Sequence, residues 1–315
     1  MEIEKKQEGN HLLSGIRSQY GQAEFILALY QPVTKSSRKL TVVEVGANQP
    51  TQGSNSCCFI VENHKCYLIE ANTDYAEQWK RLNIENAEIY NSPIEYSPDG
   101  LVNALKSIGI EKSFDILFLD IDGGEYHLLK NNLTYRPSII CVEVDNGFPP
   151  NIKYVPPTIQ HGMDGGQASS LSTFLMLQSM QYTYVRSFAQ DMVFVSNEMV
   201  TQILPQLGPQ AIVGIDAYYK YAAAAIYNPL PVLLNQNDEK PTAGIDFYRK
   251  KIDSLLWVSQ PKEAAFLYFM LEPWFQILPN MLANRSESYG RTLLKEVEDF
   301  RKSYFHMMLT PILAP

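Results

Sequence analysis

The sequence predicts an α/β protein, a doubly wound and mostly parallel sheet closed by an antiparallel hairpin, followed by a helical C-terminal unit. Three observations carry this. Five short apolar runs bounded by polar or turn-forming residues alternate with stretches of helical periodicity, the pattern of buried parallel strands with helical crossovers. Tyr182 to Ser187 and Met192 to Val195 then alternate across a short turn, as a hairpin does. Beyond about residue 198, Pro205, Pro209, Pro229, Pro231 and Pro241 punctuate a Tyr- and Ala-rich stretch before helical spacing takes over.

The elements follow in order. Leu12 to Tyr30 shows helical spacing, one or two helices ahead of the first strand. The run LTVVEVGAN, Leu40 to Asn48, ends in an acid, a glycine and an asparagine. Glu44 can accept hydrogen bonds, Gly46 lets the backbone turn against a ligand, and Asn48 tolerates the left-handed conformation. Gln49 to Ser56 is a turn-rich loop. Cys66 to Ile69 is the second strand and ends in Glu70, roughly 25 residues after the glycine turn, near the spacing of a ribose-binding acid. Asp74 to Leu82 reads as a helix capped by Asn72 or Thr73. The third strand is Ala87 to Tyr90, with Asn91, Ser92 and Pro93 at its tip, and Leu101 to Ile108 is helical.

The fourth strand, Phe114 to Leu119, runs into Asp120, Ile121, Asp122, Gly123, Gly124 and Glu125. Asp120 and Asp122 are two apart and share a face on an extended backbone; two such carboxylates call for a cation, a proton or a donor between them. The fifth strand, Ser138 to Val144, leads to Asp145, Asn146 and Gly147, and Pro149 and Pro150 forbid its continuation. Glu143 and Asp145 repeat the two-residue spacing. A loop with His161 follows, then a helix from Ser170 to Met180. In the tail, Ile245 to Leu256, Lys262 to Phe269 and Thr292 to Met308 are helical, while Tyr218, Tyr219 and Tyr221 read as packing residues before pocket lining. Residues 1–39 thus form an N-terminal helical segment, 40–198 the sheet domain and 199–315 a helical cap or dimerisation unit.

With 315 residues and 45 % hydrophobic content the chain can bury a full core. A net charge of -8 argues against nucleic-acid binding, which needs a basic footprint. Cys57, Cys58, Cys66 and Cys141 lack metal-finger spacing and are expected to be reduced core residues in a cytoplasmic setting. No apolar run approaches the ~20 residues of a membrane span, so no membrane partner is expected.

The succession VEVGAN, GSNS, YLIEAN, FDILFLDIDGGE and IICVEVDN, closed by a hairpin, resembles class I S-adenosylmethionine-dependent methyltransferases. Within them it looks most like the FkbM-type family. GSNS (Gly53 to Ser56), LDIDGGE (Leu119 to Glu125), PPN (Pro149 to Asn151) and GQASSL (Gly166 to Leu171) are the most specific points, and the resemblance covers about residues 40–195. It implies a Rossmann-like methyltransferase fold with S-adenosylmethionine as cofactor. Glu44, Gly46 and Asn48 would line the methionine and sulfonium end, Glu70 would hold the ribose, Ser92 would lie near the adenine, and Asp120 would face cofactor or substrate.

Methyl transfer asks the protein to position an acceptor and remove its proton. Asp122, Glu143, Asp145 and His161 are the candidate bases. A magnesium-like cation is the alternative for the same region: Asp120 with Asp145 and Asn146 resembles the oxygen-ligand set of catechol-type O-methyltransferases. The expected acceptor is a hydroxyl of a small molecule or saccharide, and the C-terminal helices are expected to cover the site or pair two chains as a homodimer. Gln49 to Gln52, glycine-poor where many relatives carry an acid and a glycine, keeps a second reading open. In it, the same fold binds a ligand or mediates assembly without transferring methyl.

Overall fold

The computed structural model describes residues 12–33, 38–131, 134–159, 166–208, 211–222, 242–282 and 287–313. Its centre is one seven-stranded sheet in the order β3-β2-β1-β4-β5-β7-β6, with β1 Thr41–Val45, β2 Lys65–Glu70, β3 Ala87–Asn91, β4 Ile116–Leu119, β5 Ile139–Glu143, β6 Tyr182–Phe188 and β7 Asp191–Ser196. β1 to β5 pair in parallel. β7 runs antiparallel to both β5 and β6. This is the doubly wound sheet closed by a hairpin that the apolar runs predict.

Alternation assigns side chains to two faces. Val43, Val45, Leu117, Leu119, Ile140 and Val142 point into one core, covered by α4 Gly100–Ser107, α5 Glu125–Asn131 and α6 Ser170–Ser179. Val42, Leu68, Ile116, Phe118, Ile139 and Cys141 point into the other, covered by α1 Gln22–Tyr30, α2 Cys57–Val61 and α3 Thr73–Arg81. All four cysteines are free, and Cys57, Cys66 and Cys141 are buried, so they serve as the small core residues expected of them.

The helical C-terminal segment is present, and its packing divides in two. α7 Asn197–Ile203 sends Ile203 into the α1 face, while α8 Gly214–Ala217 and the turn Tyr218–Ala222 send Ala217 and Tyr218 into the opposite face. Tyr218 stacks on Phe174 at 4.7 Å and donates its hydroxyl to the Pro150 carbonyl at 2.7 Å. It is a core residue of the sheet domain, although it lies beyond residue 199. α9 Ala243–Trp257, α10 Pro261–Met281 and α11 Glu287–Leu313 form a third core with Phe148, Ile152 and Tyr154. Among the described residues, no helix is long and apolar enough to cross a membrane.

Candidate active site

The strand order reverses between β1 and β4, and there the carboxyl ends of the strands open into a cleft of about 970 Å³. Ligands of such sheets bind at this switch point. Gly46 makes the floor possible: its φ is +86°, and a Cβ built there would stand 1.6 Å from the Asp120 carbonyl oxygen. Only glycine lets the end of β1 cross so close to the end of β4.

Glu44, Gly46, Asn48, Glu70, Ser92 and Asp120 all line this cleft, together with Asp122 and Glu143. Their roles differ. The Glu44 carboxylate accepts from Ser54 Oγ at 2.8 Å, Asn55 N at 2.7 Å and Ser56 N at 3.0 Å. It therefore ties the GSNS loop to β1, and burial pushes its carboxyl up to about 7 against the pull of those donors. Glu70 accepts Asn48 N at 2.7 Å on one oxygen and Asn72 N at 2.6 Å on the other. Asn48 adopts φ +53°, and its carbonyl receives the Trp79 indole N–H at 2.8 Å. Ser92 is exposed at the rim, its N–H donating to the Glu70 carbonyl at 3.1 Å.

The other end of the cleft is acidic. Asp120, Asp122 and Glu143 each bring a carboxylate oxygen to within 4.8 Å of the others. Burial, and then the crowding of like charges, raises the Asp120 carboxyl above its ordinary range. Burial, then the neighbouring Asp120, pushes Glu143 far above the carboxylate range. Gln167 Nε2 and Gln190 Nε2 donate to the two oxygens of Glu143. Asp191 faces Glu143 across β5 and β7, and burial followed by the charge of Asp120 pushes it up to about 8. The LDIDGGE turn is held by Glu125, whose Oε1 accepts Gly123 N at 2.8 Å and Ile121 N at 3.2 Å. Ahead of α1, Arg17, Ser18, Gln19 and Tyr20 form one wall, and the Tyr20 phenol is raised by burial and then by Asp191, Glu143 and Asp120.

Asp145 departs from expectation. Its side chain is buried in an ion pair with Lys251 of α9 and accepts Gly147 N at 2.8 Å. The Lys251 ammonium lies over the rings of Phe247 and Phe148. The set Asp120, Asp145 and Asn146 is therefore not assembled: Asp145 and Asn146 do not line the cleft, and Asp122 and Glu143 stand with Asp120 instead. His161 lies outside the described residues. Sequence reasoning assigns none of Arg17, Tyr20, Gln167, Gln190, Asp191 and Lys251 to the site. Gln167 carried a signal as part of GQASSL, where it orients Glu143 while Ser169 caps α6; Lys251 belongs to the basic run Arg249-Lys250-Lys251, which reads as a solvated face, yet it is buried on Asp145.

No family model matches the chain, and no curated protein matches it in sequence. Solved structures do resemble it. The bifunctional kinase-methyltransferase WbdD aligns at 15 % identity over 60 % of this chain and 46 % of that one, with a TM-score of 0.38. Magnesium protoporphyrin IX methyltransferase from Synechocystis PCC 6803, with bound SAH, aligns at 10 % over 56 % and 83 %, with a TM-score of 0.35. Cofactor-bound Rv0187 from MTB aligns at 11 % over 61 % and 88 %, with a TM-score of 0.35. The chain thus spans less than half the length of the WbdD structure. The fold assignment rests on the strand order and pairing.

Proposed function

We propose that this protein is an S-adenosylmethionine-dependent methyltransferase of FkbM type, acting in the cytoplasm on a hydroxyl of a small molecule or saccharide. The observation that carries it is the cleft at the switch point, with a ribose-type acid at one end and an acid cluster at the other. Each Glu70 oxygen is occupied by one backbone N–H and keeps a second lone pair, enough to receive a vicinal diol. Gly46, Asn48 and the loop fixed by Glu44 would hold the amino-acid end, and Ser92 the base. The cofactor supplies a methyl group on a sulfonium, which is displaced in line. Asp122, the exposed carboxylate of the acidic end, would take the proton from the acceptor hydroxyl. In this reading α9 and α10 pair two chains, which the exposure of Trp257 and Phe266 supports.

Calorimetric titration of the full chain with S-adenosylhomocysteine tests the reading. Saturable 1:1 heat is expected, weakened at least tenfold by Glu70→Ala and by the milder Glu70→Gln. No heat with either this ligand or the methylated cofactor would sink it.

A further inference from the structure

Helix α3 holds the Glu70 carboxylate from two sides. Glu70 is buried, and its oxygens are bonded separately, one by Asn48 N at 2.7 Å and the other by Asn72 N at 2.6 Å. Both donors are tied to α3. Asn72 is its N-cap, with Oδ1 accepting Asp74 N and Tyr75 N. Asn48 is tied through its carbonyl, which receives the indole N–H of Trp79 at 2.8 Å. Asn72 and Trp79 stand seven positions apart along the helix, about two turns, and so share one face.

The acceptor that Trp79 takes is informative. A buried indole N–H needs a partner, and here it takes the carbonyl of a residue at φ +53°. A left-handed residue other than glycine persists only where its surroundings hold it. Gly46 N and Ala47 N, donating to the Ile69 carbonyl at 3.0 and 3.3 Å, fix the turn ahead of Asn48, and Trp79 fixes it behind. The Asn48 N–H between them therefore stays on Glu70. A carboxylate bonded once on each oxygen cannot rotate without losing a bond, and each oxygen offers one further lone pair. Hydroxyls on two adjacent carbons match that pair of acceptors. A single hydroxyl leaves one acceptor unpaired, which costs affinity.

We infer that Trp79, acting through Asn48, is a positioning residue that sets Glu70 to receive a 2′,3′-diol, and that this bracket makes the cleft select a ribonucleoside ligand over its 2′-deoxy counterpart. The inference rests on the cofactor reading above. Trp79 is buried and does not line the cleft, so it reaches the ligand only through Asn48 and Glu70.

Calorimetric titration of the full chain with S-adenosylhomocysteine and with its 2′-deoxy analogue gives the ratio of the two dissociation constants. In the wild type the analogue is expected to bind at least about tenfold more weakly. Trp79→Phe keeps an aromatic ring and removes the N–H, and it is expected to lower that ratio at least threefold. A merely structural role would weaken both ligands alike and leave the ratio where it was. Asn72→Ala, at an exposed position, is expected to lower the ratio as well, and Asn72→Asp, which still caps the helix, to restore it. This second pair decides the matter if Trp79→Phe does not fold. A wild-type ratio below tenfold overturns the inference. So does a smaller fall than threefold in folded Trp79→Phe, or in Asn72→Ala where that pair decides. Either result leaves the cofactor reading standing, whereas a wild type that binds neither ligand overturns both.

Discussion

Glu44 lines the cleft at the end of the first strand, and its carboxylate is bonded to its own loop. Its place at the end of the first strand was legible, because an acid closing an apolar run stands out. Its commitment to the backbone of residues 54–56 was not, since a carboxylate bonded by its own loop and one facing a ligand look alike in sequence. This burial has a pH signature. Burial pushes the folded carboxyl up to about 7 from an ordinary 4.5, so the folded state holds its proton more tightly than the unfolded state. Stability therefore falls as pH rises from about 4.5 to about 7, by ~1.4 kcal/mol per unit from this group, and is level above. Glu44→Gln should be less stable at every pH, because an amide cannot accept all three donors, and its stability should fall less between pH 5 and pH 7. Urea unfolding at both pH values checks this. Asp145 shows the other limit: its partner lies in α9, 106 positions away, and no spacing rule reaches that far.

At the scale of elements, the strands were legible because apolar runs end abruptly at polar residues. Helix α3 was legible too, down to its cap: Asn72 Oδ1 accepts Asp74 N at 2.9 Å and Tyr75 N at 3.3 Å. Asn72→Ala should cost about 1 kcal/mol and Asn72→Asp should restore most of it, measured by urea unfolding at neutral pH. Short helices escaped, α2 and α5 among them. α2 has only five residues, too few to show a period, and the loop signals ahead of it dominate. α5 begins at Glu125, inside a segment whose acids and glycines read as a strand tip. The glycines belong to the turn and the glutamate opens the helix while holding that turn.

At the scale of the whole molecule, the boundary near residue 199 marks a change of composition more than a change of packing. Tyr218 belongs to the sheet core, and Phe148 to Tyr154 belong with the C-terminal helices. The Lys251–Asp145 pair joins the two. Lys251→Met would strand a buried carboxylate and should cost about 3–5 kcal/mol. Lys251→Met with Asp145→Asn should recover a large part of that loss, and chemical denaturation of the two single variants and the double variant gives the coupling. A chain cut near Asn197 would lose Tyr218 and Lys251 together.

The reversal of strand order between β1 and β4 has a consequence for how the cleft is written along the chain. The residues of its ribose-type end, from Glu44 to Ser92, come from one continuous stretch, and those of its acidic end, from Asp120 to Asp191, come from the next. They meet where Gly46 touches the backbone of Asp120. The two stretches are joined along the β1–β4 ladder and roofed by the wall from Arg17 to Tyr20. A side chain at position 46 would therefore push the two stretches apart and displace both ends of the cleft at once.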